Sequence, residues 1–81
     1  MKELTRKELK QLVATQFDAQ TGCRPRMNDI TLLEASGDGE YVRFMISVHE
    51  YVYRDTYHFE DGERLGEIYR VEDGHEAVKP M

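Results

Sequence analysis

The chain has no tryptophan, only two prolines and one cysteine, and no apolar run longer than three residues. A membrane-spanning helix takes roughly twenty consecutive apolar residues, and a secretory signal about seven or more. Runs such as Leu12-Val13-Ala14 and Phe44-Met45-Ile46 fall short of both. A lone Cys23 excludes an internal disulfide, the usual support of small secreted domains, and favours a reducing compartment, here the cytoplasm. The glycines follow neither the GxGxxG nor the GxxxxGK[ST] spacing, so no phosphate cradle is legible. HxH and HExxH patterns are absent as well, and no cofactor is expected.

What is present fits one small domain over residues 1–81, without repeats or linkers. Hydrophobic residues make up 40% and charged residues 33%, a globular rather than disordered balance. The net charge of −5 is unevenly spread: residues 1–26 carry +3 and residues 27–81 carry −8. Counterion release gives such an acidic chain little affinity for nucleic acid, and no direct nucleic-acid or membrane contact is expected. An acidic surface is drawn instead towards a basic groove on another protein, or it serves solubility alone.

The N-terminal element is the clearest. Thr5 and Glu8 fit a capping box, and Leu4 and Leu9 fit a hydrophobic staple. Leu9, Leu12, Val13 and Phe17 form one apolar stripe, and Gly22 followed by Pro25 closes the helix, giving a span of about 6–20. The period then becomes alternating. Ile30–Ser36 and Tyr41–Val48 flank Gly37-Asp38-Gly39-Glu40, a hairpin signal. With Asp38-Gly39 as the turn, Ala35 faces Val42, Glu34 faces Arg43, Leu33 faces Phe44 and Leu32 faces Met45. The aromatic and β-branched stretch Glu50–Phe59 continues the sheet. A turn at Arg54-Asp55 pairs Val52 with Tyr57, Tyr51 with His58 and His49 with Glu60. After Asp61-Gly62, Arg64–Val71 reads as an edge strand, although Leu65, Ile68 and Tyr69 also have helical spacing, and residues 72–81 read as a frayed tail.

The expected fold is therefore α+β: an N-terminal helix packed on one face of a three- to four-stranded antiparallel meander, in the order α-β-β-β-β. That order of elements resembles cystatin-like and related folds with a helix on a curved sheet. The resemblance rests on element order alone and implies no activity.

One helix covers one face of such a sheet, and Val42, Phe44, Ile46, Val48 and Val52 are its natural partners. The other face then carries Ile30, Leu32, Tyr41, Met45, His49, Tyr51 and Tyr53, a mixture of apolar bodies and polar tips typical of interface cores. The bland alternative is that tyrosines on an open sheet are good strand formers. Carboxylates concentrate between Glu60 and Glu76, with Glu60, Glu63, Glu67 and Asp73 in a row that imitates a phosphate track. Small acidic inhibitors from phages, anti-CRISPR proteins among them, are similar in size and charge; a solvated turn and acidic tail is the bland alternative.

The leading expectation is thus a non-enzymatic protein-interaction module, of the kind that occludes a partner's nucleic-acid-binding surface. Its partner-binding residues would be Leu32, Tyr41, Met45, His49, Tyr51, Tyr53, Glu60, Glu63, Glu67 and Asp73, and its partner another protein or a second copy of itself. Two alternatives stand beside it: a homodimeric structural protein, and a small metal-dependent or thiol-based enzyme. The enzyme would use His49, His58 and Glu60, which the Arg54-Asp55 turn brings together, or Cys23, whose neighbours Arg24 and Arg26 favour the thiolate.

Overall fold

The computed structural model describes residues 3–58, 64–72 and 74–76. Its helix begins where the local chemistry requires. Thr5 Oγ1 accepts the Glu8 N–H at 3.1 Å, while Glu8 Oε1 accepts the Thr5 N–H at 3.0 Å. These satisfy two backbone donors that a helix start leaves orphaned. Helix α1 spans Arg6–Thr21 and stops at Gly22, whose φ of 77° lies in the left-handed region and whose N–H donates to Asp18 O. After a short 3-10 turn, Met27–Asp29, the chain makes an antiparallel meander: β1 (Ile30–Ala35), β2 (Tyr41–Ile46), β3 (His49–His58), β4 (Arg64–Glu72) and the two-residue β5 (His75–Glu76). Strand order in the sheet equals sequence order. The α+β class, the helix on one face and the strand character of 64–72 all agree with the sequence.

The first hairpin is pinned by Ser36. Its N–H donates to Tyr41 O at 2.8 Å, and its Oγ accepts the Tyr41 N–H at 2.9 Å. Ala35 then faces Val42 and Glu34 faces Arg43, as the turn chemistry predicts. Beyond that point the expected register fails. A β-bulge at Leu33 inserts one unpaired residue, so Leu32 opposes Phe44 and Ile30 opposes Ile46. Each extra residue reverses the side-chain parity of what lies beyond it. Ile30 and Leu32 therefore move onto the helix-facing side, where Ile30 is 2% exposed and Leu32 packs at the rim of the core.

A second reversal follows at Ser47-Val48, the two-residue turn that pairs Ile46 with His49. No turn exists at Arg54-Asp55. Strand β3 runs straight through it, with an irregularity between Asp55 and Tyr57. Val42 and Phe44 accordingly share their face with Tyr53 and Tyr51, and both tyrosines are core residues, 0% and 7% exposed. Tyr51 stacks on Phe44 at 5.7 Å and takes Phe17 edge-on at 5.3 Å, locking helix to sheet. Val52, expected beneath the helix, lies on the opposite face, and Val48 projects from the turn, 78% exposed. Residues 72–81 are not all tail either: Glu72 belongs to β4, and His75 and Glu76 pair with Glu72 and Val71.

Gly66 marks a close approach of β4 backbone and β3 side chain. A Cβ there would stand 2.3 Å from Tyr53 Cε1 and 2.6 Å from the Arg54 carbonyl oxygen. The buried ring thus occupies the space that any other residue would need.

Candidate functional site

The face away from α1 is a layer of paired polar groups rather than an apolar patch. Tyr41, Arg43 and Met45 of β2 alternate onto it, facing Arg54, Val52 and Glu50 of β3. Arg43 lies 3.7 Å from Glu50 and 4.0 Å from Glu34, while the Arg54 guanidinium sits over the Tyr41 ring at 5.0 Å. On β4 the Tyr69 hydroxyl donates to the Glu67 carboxylate, and Glu67 itself stands opposite Arg54. Val52, between Arg43 and Tyr69, is only 2% exposed. The large hydrophobic residues exposed among the described ones are Leu33, at the bulge of β1, and Val48, in the turn between β2 and β3.

Of the sequence-predicted contact residues, Tyr41, Met45 and Glu67 do lie together on this face. Leu32, Tyr51 and Tyr53 do not: the bulge and the Ser47-Val48 turn put them on the helix side. His49 shares their parity but reaches past the helix into solvent, where its Nδ1 accepts from Arg70 at 3.0 Å. Glu60, Glu63 and Asp73 lie outside the described residues.

The metal or acid–base trio is not assembled as expected. His49 and His58 occupy opposite ends of the continuous β3, and nine steps at about 3.3 Å each put their backbones about 30 Å apart. Among the described residues, no group of three His, Cys, Asp or Glu side chains is placed to hold a metal ion. Cys23 is exposed, and its backbone N–H donates to Thr21 Oγ1 at 3.2 Å. No helix among the described residues is long and apolar enough to cross a membrane.

The two edges of the sheet differ in a way that the sequence did not announce. On the outer side of β4, Gln20 from the last turn of α1 takes the part of a neighbouring strand. The Ile68 N–H donates to Gln20 Oε1 at 3.1 Å, and Gln20 Nε2 donates to the Gly66 carbonyl at 3.3 Å. Further along the same edge, β5 pairs with Val71 and Glu72. Strand β1 is hydrogen-bonded to β2 on one side, and among the described residues no backbone hydrogen bond reaches its other side. Beside this free edge lies a groove of about 240 Å³ between α1 and β1, lined by Arg6, Leu9, Leu32, Leu33, Glu34 and Ala35. The bulge residue Leu33 is 40% exposed there.

A free strand edge bordered by a groove of mixed apolar and charged lining can accept backbone hydrogen bonds and a side chain from an incoming extended segment. The signal that would have pointed to it, a bulge that turns Leu33 away from the sheet pattern, has no sequence signature in Thr31-Leu32-Leu33-Glu34. No protein-family model, curated protein or solved structure gives a match to this chain.

Proposed function

We propose that the chain is a non-enzymatic protein-interaction module that docks through the free edge of β1 and the groove beside it. What supports this is the contrast between the edges: Gln20 and β5 occupy the β4 edge, whereas β1 presents backbone groups that no described residue pairs, and an exposed Leu33. Unpaired edges are a liability that small proteins guard against, so a free one next to a groove with an exposed leucine is better explained by use than by neglect. The open sheet face is the weaker candidate, because its charged groups are already paired and its central Val52 is already buried.

The chain's net charge of −5 adds long-range attraction for a basic partner. In the inhibitory form of this proposal, docking at β1 holds the acidic remainder of the chain over a basic, nucleic-acid-binding surface and occludes it. A photo-crosslinking residue placed at position 33, with Thr15 on the exposed helix surface as control, tests the docking site in living source cells. A discrete adduct from position 33 and none from Thr15 is expected. No adduct at 33, or identical adducts from both positions, would overturn the proposal.

A further inference from the structure

We infer that Gln20 guards the β4 edge against the β1 strand of a further copy of this chain, and so keeps the protein from assembling end to end. The inference rests on the open β1 edge of the docking reading and adds what the other edge is closed against. A sheet with both outer strands open joins β1 of one copy to β4 of the next. In the meander β1 and β4 run in opposite directions, so simple repetition of the unit lays them antiparallel. Such a contact is head-to-tail: each pairing leaves a fresh edge at either end, and growth continues into a ring or an open filament.

The two bonds from Gln20 fall on the groups that this pairing would use. In an antiparallel ladder successive residues turn their backbone groups to alternate sides. Glu67 stands opposite Arg54, and the groups flanking it, Gly66 C=O and Ile68 N–H, are the ones that Gln20 takes from outside the sheet. A carboxamide carries an acceptor and a donor side by side, as a peptide group does. The helix is seated without these bonds, since Leu9, Val13 and Ala14 are buried in the core and Phe17 meets Tyr51 edge-on. What the bonds add is occupation of the edge.

The regular half of β1 matches the stretch that Gln20 covers. The Ser47 N–H donates to Asp29 O, so Asp29 turns inward to β2, Ile30 outward, Thr31 inward and Leu32 outward. Laid antiparallel on β4, Ile30 and Leu32 of the second copy pair with Ile68 and Gly66, and its Thr31 comes opposite Glu67. Thr31 faces Met45 and Glu67 faces Arg54, both on the sheet face away from α1, so the joined sheets keep their helices on one side. Strand β5, paired with Val71 and Glu72, lies beyond Ile68 and stays clear. Two β4 strands centred on the same stretch would instead oppose Glu67 to Glu67, an unfavourable cross-strand pair. Parity and charge thus select β1 as the occupant.

Sedimentation of Gln20→Asn and Gln20→Met in about 0.15 M salt, which screens the net charge of −5, tests this. Asparagine is one methylene too short to reach the edge and adds no apolar surface, while methionine keeps the length without either bond. Position 20 is only partly buried, and circular dichroism checks that both variants are folded. Both should exceed the mass of a dimer as concentration rises, and the parent should not. On the Gln20→Asn background, Thr31→Lys should assemble at about ten-fold lower concentration than Thr31→Glu, since position 31 would sit opposite Glu67. Folded variants that stay at the parent's mass, or growth of the methionine variant alone, would overturn the guard. Growth indifferent to the charge at position 31 would overturn β1 as the occupant. Neither result touches the crosslink from position 33 of the parent, whose absence alone tells against the docking reading.

Discussion

Replacing Gly66 with alanine sets a general rule against a particular contact. In the interior of a strand, Gly→Ala ordinarily stabilises by about 0.5–1 kcal/mol, because glycine gives up more backbone freedom on folding. Here the added methyl would lie 2.3 and 2.5 Å from Tyr53 ring atoms and 2.6 Å from the Arg54 carbonyl oxygen. The Tyr53 ring cannot swing aside, because the residue is fully buried in the core that also holds Phe44 and Val42. The carbonyl belongs to a strand paired on both sides. Overpacking of this kind costs about 1–3 kcal/mol, and two simultaneous clashes put the expectation near the upper end. A domain of this size loses roughly 4–8 °C in Tm per kcal/mol, so Gly66→Ala should melt at least about 10 °C lower. Urea unfolding followed by circular dichroism gives the free energy directly. A double-mutant cycle with Tyr53→Leu identifies the cause, since shortening the ring opens space for the methyl and the two changes should be strongly non-additive. A Gly66→Ala protein as stable as the parent, or additive effects in the cycle, would refute the close approach of ring and backbone.

Gln20→Ala removes both side-chain bonds to the β4 edge and should cost about 1–3 kcal/mol in urea unfolding, with faster hydrogen exchange at the Ile68 amide. Unchanged exchange there would show that the glutamine does not stand in for a strand. Tyr51→Glu should abolish cooperative melting, because an unpaired buried charge costs about 3–5 kcal/mol, while Met45→Glu on the open face should fold with a Tm within a few degrees of the parent. Ser47 holds a φ of 57° in its two-residue turn, a left-handed strain of roughly 1–2 kcal/mol for a residue with a Cβ. Ser47→Gly should therefore leave stability equal or slightly higher, and Ser47→Val should lower the urea midpoint.

Local chemistry made the helix legible. The Thr5–Glu8 capping box, the Leu9-Val13-Phe17 stripe and Gly22 place its ends to within a residue of those observed, and none of them depends on distant contacts. The same holds for the first hairpin, whose turn residues fix the pairs Ala35–Val42 and Glu34–Arg43. The assignment of faces did not carry over, because it depends on parity, and parity is reversed by single residues that carry no strong signal. Leu33 bulges between ordinary strand formers, and Ser47-Val48 turns the chain without the Asn-Gly or Asp-Gly pair that favours tight hairpins. Arg54-Asp55, a plausible turn by composition, is paired on both sides within β3. The one unannounced turn at Ser47-Val48 was enough to bury Tyr51 and Tyr53, the aromatics that looked most like interface anchors.

The bulge bears on function as well as on parity. A flat, regular edge pairs with almost any extended chain, which is why exposed edges lead to aggregation. At β1 the regular ladder is broken at Leu33, so an incoming strand can match the hydrogen-bonding groups on only part of the edge. The bulge also carries Leu33 into the groove wall, beside Leu9 and Arg6. Backbone pairing that is too short to hold a partner by itself makes side-chain fit decisive. The edge is then guarded against indiscriminate pairing by the same residue that would reward a correctly spaced apolar side chain. Specificity of this sort is a difference between affinities, obtained partly by weakening what all strands share. It predicts that a variant with Leu33 deleted, which restores a regular ladder, pairs less selectively. Such a protein should pair with extended peptides of unrelated sequence and form larger species as its concentration rises. If the deletion variant instead captures no more extended peptides than the parent and stays monomeric, the bulge has no part in selection.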